Sequence, residues 1–80
     1  MKLLLLDERY PPELLADFEV VREPQKDVVV VLTMDEPRVG TELFAKLPAL
    51  RVVGTATAGF DQIDIEAAEA RGSAVVSVPD

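Results

Sequence analysis

Asp27-Val28-Val29-Val30-Val31-Leu32 is the stretch on which the fold turns. Four β-branched residues in a row make the strongest strand signal in the chain. No polar residue alternates with them, so this strand belongs at the centre of a sheet covered on both faces, the setting of parallel sheets. Toward the N-terminus, Leu3–Leu6 is a second continuous apolar run, closed by Asp7-Glu8-Arg9. Pro11-Pro12-Glu13 can open a brief helix carrying Leu14, Leu15 and Phe18, because proline and an acidic residue suit a first turn. Phe18–Val21 then reads as a strand. Toward the C-terminus, Thr33–Pro37 is a loop, and Thr41 is the expected cap of a helix with Leu43, Phe44 and Leu47 on its apolar face, ended by Pro48. Arg51–Gly54, with room to run to Ala56, is the fourth strand. Asp61 or Asp64 caps a third helix over Ile65–Arg71, with Ile65 and Ala68 inward, Glu66 and Glu69 outward, and Gly72 at its C′ position. Ala74–Val78 is the fifth strand.

Alternating strands and helices argue for an α/β fold with a parallel sheet and right-handed crossovers. The link Arg22–Lys26 is too short for a helical crossover, which makes the second strand an edge. The expected architecture is a flavodoxin-like five-stranded parallel sheet in the order 2-1-3-4-5, forming one domain over residues 1–80. A fifth strand of this kind is ordinarily followed by a helix, and none follows here. One sheet face is therefore expected to be uncovered, and to be met by a partner, by self-association or by a missing segment.

The totals narrow the function. Fifteen acidic against eight basic residues give a net charge of −7, which repels phosphate backbones and anionic lipid. No nucleic acid and no membrane partner is expected. With no cysteine and no histidine, the chain supplies no disulfide, no thiolate, no zinc site and no imidazole base. Its leucine run is shorter than the ~7–15 residues of a signal h-region, and nothing approaches the ~18 apolar residues of a membrane span. A cytoplasmic location is the expectation.

Ligands of such sheets bind beyond the carboxyl ends of the strands. Acidic residues at that edge, Asp7, Glu8 and Asp35, allow a receiver-like reading in which they hold magnesium and accept a phosphoryl group, with Thr55 or Thr57 nearby. The lysine that such a site needs after strand five is absent, since the last lysine is Lys46. The stretch Thr55–Gly59 offers backbone amides instead, because small side chains let an anion approach consecutive N–H groups. Thr57, Ala58 and Gly59 are the candidate binding residues. No base stands beside the two threonines, so no catalytic residue and no metal ligand is expected.

Leu47-Pro48-Ala49-Leu50-Arg51-Val52-Val53-Gly54, then Ala58-Gly59-Phe60-Asp61-Gln62-Ile63-Asp64, then Glu66-Ala67-Ala68, Arg71-Gly72, Ala74-Val75-Val76 and Pro79 carry a more specific signal. In this register the chain resembles the N-terminal segment of the D-isomer-specific 2-hydroxyacid dehydrogenases, and Gly54–Gly59 is also similar to the erythronate-4-phosphate dehydrogenase branch, the phosphoglycerate dehydrogenase branch being the alternative. The resemblance implies an incomplete substrate-binding domain of a two-domain NAD(P)-dependent oxidoreductase. It also implies that the loop at Ala58-Gly59 offers backbone N–H groups to the carboxylate of a small 2-hydroxy or 2-oxo acid. Two positions depart from the family pattern: Thr55, where many members carry arginine, and Gln62, where asparagine is common. The family's Rossmann domain, with its glycine-rich phosphate loop, catalytic arginine and histidine, has no counterpart in these residues. The chain is accordingly expected to bind no cofactor and to be inactive alone, the alternative being a receiver-like or self-associating scaffold without enzymatic activity.

Overall fold

A computed structural model describes residues 1–34, 38–56 and 62–77. The elements run β1 (Lys2–Leu5), α1 (Pro12–Leu15), β2 (Glu19–Val21), β3 (Val28–Thr33), α2 (Thr41–Ala45), β4 (Val52–Thr55), α3 (Ile65–Ala70) and β5 (Ala74–Ser77). The five strands form one sheet in the order β2-β1-β3-β4-β5, every neighbouring pair parallel. This is the expected flavodoxin-like order, with the valine-rich β3 at its centre.

The two sheet faces bury different residues. Leu4, Val31 and Val53 point to the side of α2 and α3, where Phe44, Leu47, Leu50 and Ala68 complete the larger core. Leu3, Leu5 and Leu32 point to the other side, where Tyr10, Leu15 and Phe18 form a smaller cluster around α1. The four valines do not alternate strictly. The register against β1 slips between Lys2↔Val28 and Leu3↔Val30, so Val29 is an extra residue whose carbonyl accepts from Arg51 N at 2.8 Å. That bulge turns both Val28 and Val31 into the same larger core.

The link Arg22–Asp27 carries the chain from one side of β1 to the other without a helix. It succeeds because β2 is only three residues long. The path crosses two inter-strand spacings, ~10 Å, and drops about two residues, within the ~20 Å reach of six extended residues. Lys2 Nζ holds the link in place through Gln25 Oε1 at 2.7 Å and Asp27 at 2.9 Å.

Helix ends follow local chemistry. Asp64 is the N-cap of α3 and accepts from Ala67 N at 3.0 Å. Gly72, with φ of +82°, ends that helix as a C′ glycine should. Thr41 is not the cap of α2: Gly40 is, without a side-chain hydrogen bond, and Thr41 is already helical. The helix also stops before Pro48, at Ala45, where Lys46 N donates to Leu43 O at 2.9 Å and Leu47 N to Phe44 O at 3.0 Å.

On the α1 side, among the described residues, only one short helix covers the sheet. Leu14, Phe18, Val30, Val52, Gly54 and Val76 line an apolar groove of about 280 Å³ there. Leu14 and Val76 remain 39% and 42% exposed, so the expected uncovered face is present.

Candidate functional site

The carboxyl ends of β1, β3 and β4 form one rim, and the loops leaving them are tied together by polar groups from both sheet faces. Thr33 and Thr55 lie side by side in the β3–β4 register, both fully buried on the α2/α3 side. Gln62 reaches over them: its Nε2 donates to the Met34 carbonyl and to Thr55 Oγ1, the latter at 3.2 Å. Beside this contact, Val39 N donates to Gln62 O at 2.7 Å and Asp64 N to Val39 O at 2.8 Å. Those two bonds make a parallel bridge between Val39 and Ile63, whose side chains are both buried. The chain after β3 and the chain before α3 are thus zipped to each other above the sheet.

Tyr10 does the corresponding work on the α1 side. Its ring is buried in the smaller core, and its hydroxyl donates to the Thr33 carbonyl while meeting the backbone of Ala56. Burial pushes the phenol pKa above its ordinary 10.0, with the Ala56 N–H pulling the other way. The neutral phenol therefore stabilises the fold fully below pH 10, and that contribution is lost as pH rises through the raised value. Lys2, raised from 10.5 chiefly by its hydrogen bond to Asp27, acts in the same window. Tyr10→Phe removes only the first contribution. Urea unfolding at pH 8 and pH 11 is expected to show a smaller alkaline loss in the variant than in the parent, and equal losses would contradict the assignment.

The sequence-predicted site residues Thr57, Ala58 and Gly59 lie outside the described residues, as do Asp35 and Asp61. The described flanks on either side are the rim just built, Thr55-Ala56 and Gln62–Asp64. Tyr10 is not legible as a rim brace in the sequence, because its partners are distant along the chain, whereas Gln62 stands out there as the departure from the family's asparagine that bears on how the loop is braced. Of the receiver-like acidic residues, the two described ones, Asp7 and Glu8, are otherwise engaged. Asp7 receives Arg9 Nε at 2.9 Å and Nη2 at 2.8 Å, contacts that hold its carboxyl below the usual range. Glu8 pairs with Arg22 at 2.8 Å. Among the described residues no three acidic side chains gather as a metal site would require.

Gly40 and Gly72, the two glycines with a defined Cβ environment, do not form a pyrophosphate cradle. Close approach of a pyrophosphate needs glycines that a side chain would block. A Cβ built on Gly40 meets only the Asp64 Cβ, at an ordinary 3.8 Å, and one on Gly72 meets nothing within 4 Å. Asp64 and Glu42 beside Gly40 add repulsion for phosphate.

Comparison with known proteins agrees with this geometry. The profile of a family described as D-isomer specific 2-hydroxyacid dehydrogenase, catalytic domain, matches residues 8–80. A glyoxylate reductase from Thermococcus gammatolerans is 37% identical over 73 residues, covering 91% of this chain and 22% of that protein. The glyoxylate reductase of Pyrococcus furiosus is 40% identical over 62 residues, which is 78% of this chain and 18% of its own length. The chain thus spans about a fifth of the curated relatives it matches. In fold it is similar to a D-lactate dehydrogenase from Aquifex aeolicus, solved with NAD and lactic acid, at a TM-score of 0.80 and 22% identity. That superposition covers 99% of this chain and 28% of the dehydrogenase.

Proposed function

The chain belongs to the D-isomer specific 2-hydroxyacid dehydrogenase family, and from that premise we propose that it is the carboxylate-binding portion of a substrate domain. In this reading the backbone N–H groups of Thr57, Ala58 and Gly59 hold the carboxylate of a small 2-hydroxy or 2-oxo acid, of the size of the glyoxylate that its relatives are named for. The rim carries the proposal. Thr55-Ala56 and Gln62–Asp64, the flanks of that stretch, are anchored from both sheet faces by Tyr10 and Gln62. A backbone cradle works only when its donors are fixed before the anion arrives.

The same reading assigns no catalysis to the chain alone. Hydride transfer to a 2-oxo acid needs a proton donor at the carbonyl oxygen and a nicotinamide at its carbon. With no histidine in the sequence, these residues bind and orient, and the proton and hydride come from a separate dinucleotide-binding domain. Titration of the 15N-labelled chain with sodium glycolate is expected to move the amide signals of Ala58 and Gly59 and their neighbours, saturating in the millimolar range. Shifts scattered over the surface, or none, would overturn the cradle. Acetate, which lacks the hydroxyl, serves as the comparison.

The uncovered groove bears on how the isolated chain behaves. A second copy packing over Leu14, Val52 and Val76 removes this apolar surface from water. Sedimentation velocity over a hundredfold concentration range is expected to show association, and an invariant monomer would rule it out.

A further inference from the structure

We infer that Gln62 is the positioning residue of this rim: one side-chain amide sets the register between the chain leaving β3 and the chain entering α3. The substrate consequence drawn below rests on the carboxylate-binding reading; the register itself does not.

The argument begins with donor and acceptor chemistry. Both partners of Gln62 Nε2, the Met34 carbonyl and Thr55 Oγ1, accept from it. An amide NH2 has two donors, so a single group serves the end of β3 and the end of β4 together. The main chain of the same residue adds a third tie, since its carbonyl receives Val39 N at 2.7 Å. Met34 and Val39 flank one loop, while Thr55 and Gln62 flank the next. One residue therefore grips both flanks of the first loop and closes the second upon its own strand. The site is also enclosed: Thr33, Val39, Thr55 and Ile63 around it are at most 5% exposed. Thr33 Oγ1 has no hydrogen-bond partner among the described residues, so this hydroxyl offers no substitute tie. Low local dielectric makes a lost donor costly there and keeps the remaining geometry sensitive to it.

Register is the quantity at stake, because a bridge of one residue pair has no neighbouring pairs to hold it. Without the amide, the Val39–Ile63 bridge keeps its two backbone bonds but loses the side-chain tie to Met34 and Thr55. A slip there moves the start of α3, whose capping carboxylate on Asp64 lies two residues on. Any anion bound between Ala56 and Gln62 then meets donors in altered positions. On the carboxylate-binding reading, affinity depends on a side chain that does not touch the ligand.

The test uses the whole 80-residue chain with two substitutions. Gln62→Glu keeps the shape but sets a carboxylate oxygen against the Met34 carbonyl. Gln62→Asn keeps the donor on a shorter stem. Amide hydrogen exchange without ligand is expected to quicken at least tenfold at Val39 and Asp64 in Gln62→Glu, with β1 and β3 amides unchanged. Gln62→Asn should recover part of that protection. Sodium glycolate titrations should show at least a tenfold weaker Kd for Gln62→Glu and partial rescue in Gln62→Asn. If the parent binds glycolate and Gln62→Glu binds it equally well, the positioning role is overturned. If the parent does not bind glycolate, the carboxylate reading fails and exchange alone decides. Local quickening at Val39 and Asp64 upholds the register role, and unchanged or uniformly raised exchange refutes it. Should Gln62→Glu not fold, loss of protection confined to Val39 and Asp64 in Gln62→Asn decides in the same way.

Discussion

Arg71→Met is expected to lower stability by about 2–3 kcal/mol, a fall of roughly 10–20 °C in Tm for a chain of this size. The guanidinium donates through Nη1 to Phe44 O and through Nη2 to Leu47 O, both at 2.7 Å. It lies at the C-terminal ends of both α2 and α3, where a positive charge meets exposed carbonyls and the negative pole of each helix. Met keeps the apolar stem over the Phe44 ring, so the loss reports the charged donors and little packing. Arg71→Lys is expected to recover at most half, because one ammonium cannot reach both carbonyls along the planar fork that arginine presents. A Met variant within 0.5 kcal/mol of the parent in urea unfolding would show that water replaces the fork at no cost.

The second large effect is at the ring beneath that fork. Phe44 is 4% exposed and joins α2 to Val31, Val53 and Ala68 across the larger core. Phe44→Ala is expected to cost about 3–5 kcal/mol. An 80-residue domain holds some 4–12 kcal/mol in all, and one side of this sheet is half covered, so the variant should be largely unfolded in mild urea. The denaturant midpoint is the measure, with an unchanged slope showing that the unfolded state is not what moved. The Arg71 carbon lies 5.7 Å from the Phe44 ring centroid, so the two substitutions should not add. A double-mutant cycle is expected to return a coupling above about 0.5 kcal/mol.

These two residues also mark where reading the sequence succeeds and stops. The strand order was legible because Val28–Leu32 offers no polar face and Leu3–Leu6 repeats the pattern. Those facts place both runs inside the sheet whatever the details. Gly72 was legible, and Asp64 as one of two candidate caps beside Asp61, because capping is settled within three or four residues of chain. Thr41 misled for the same reason in reverse. A hydroxyl at the start of a helix is a good cap in general, but here Gly40 already holds the extended conformation and Thr41 falls one position inside. The bulge at Val29 was hidden, since four identical residues carry no register of their own. Arg71 and Tyr10 were invisible as braces, and Gln62 showed only as a departure from the family's asparagine that bears on how the loop is braced, with its partners unread. Their partners lie 24 and 27, 23, and 28 and 7 residues away, and only the folded topology brings them into reach. The small-residue stretch Thr57–Gly59 lies outside the described residues, and only its flanks, Thr55-Ala56 and Gln62–Asp64, are described.

Strand order has a further consequence, for how the sheet is assembled. β2 lies beside β1, β3 takes the other flank of β1, β4 takes the flank of β3, and β5 that of β4. Each new strand joins an edge already open, and none has to be inserted between two strands already paired. A chain emerging from its N-terminus can therefore add strands in the order they are made, with the Val28–Thr33 template complete before α2 exists. The half-covered side of the sheet is the counterpart of that sequence. At every stage of such growth the newest strand presents a fresh edge, and among the described residues the last such edge is β5, Ala74–Ser77, whose four residues carry no charge and no proline.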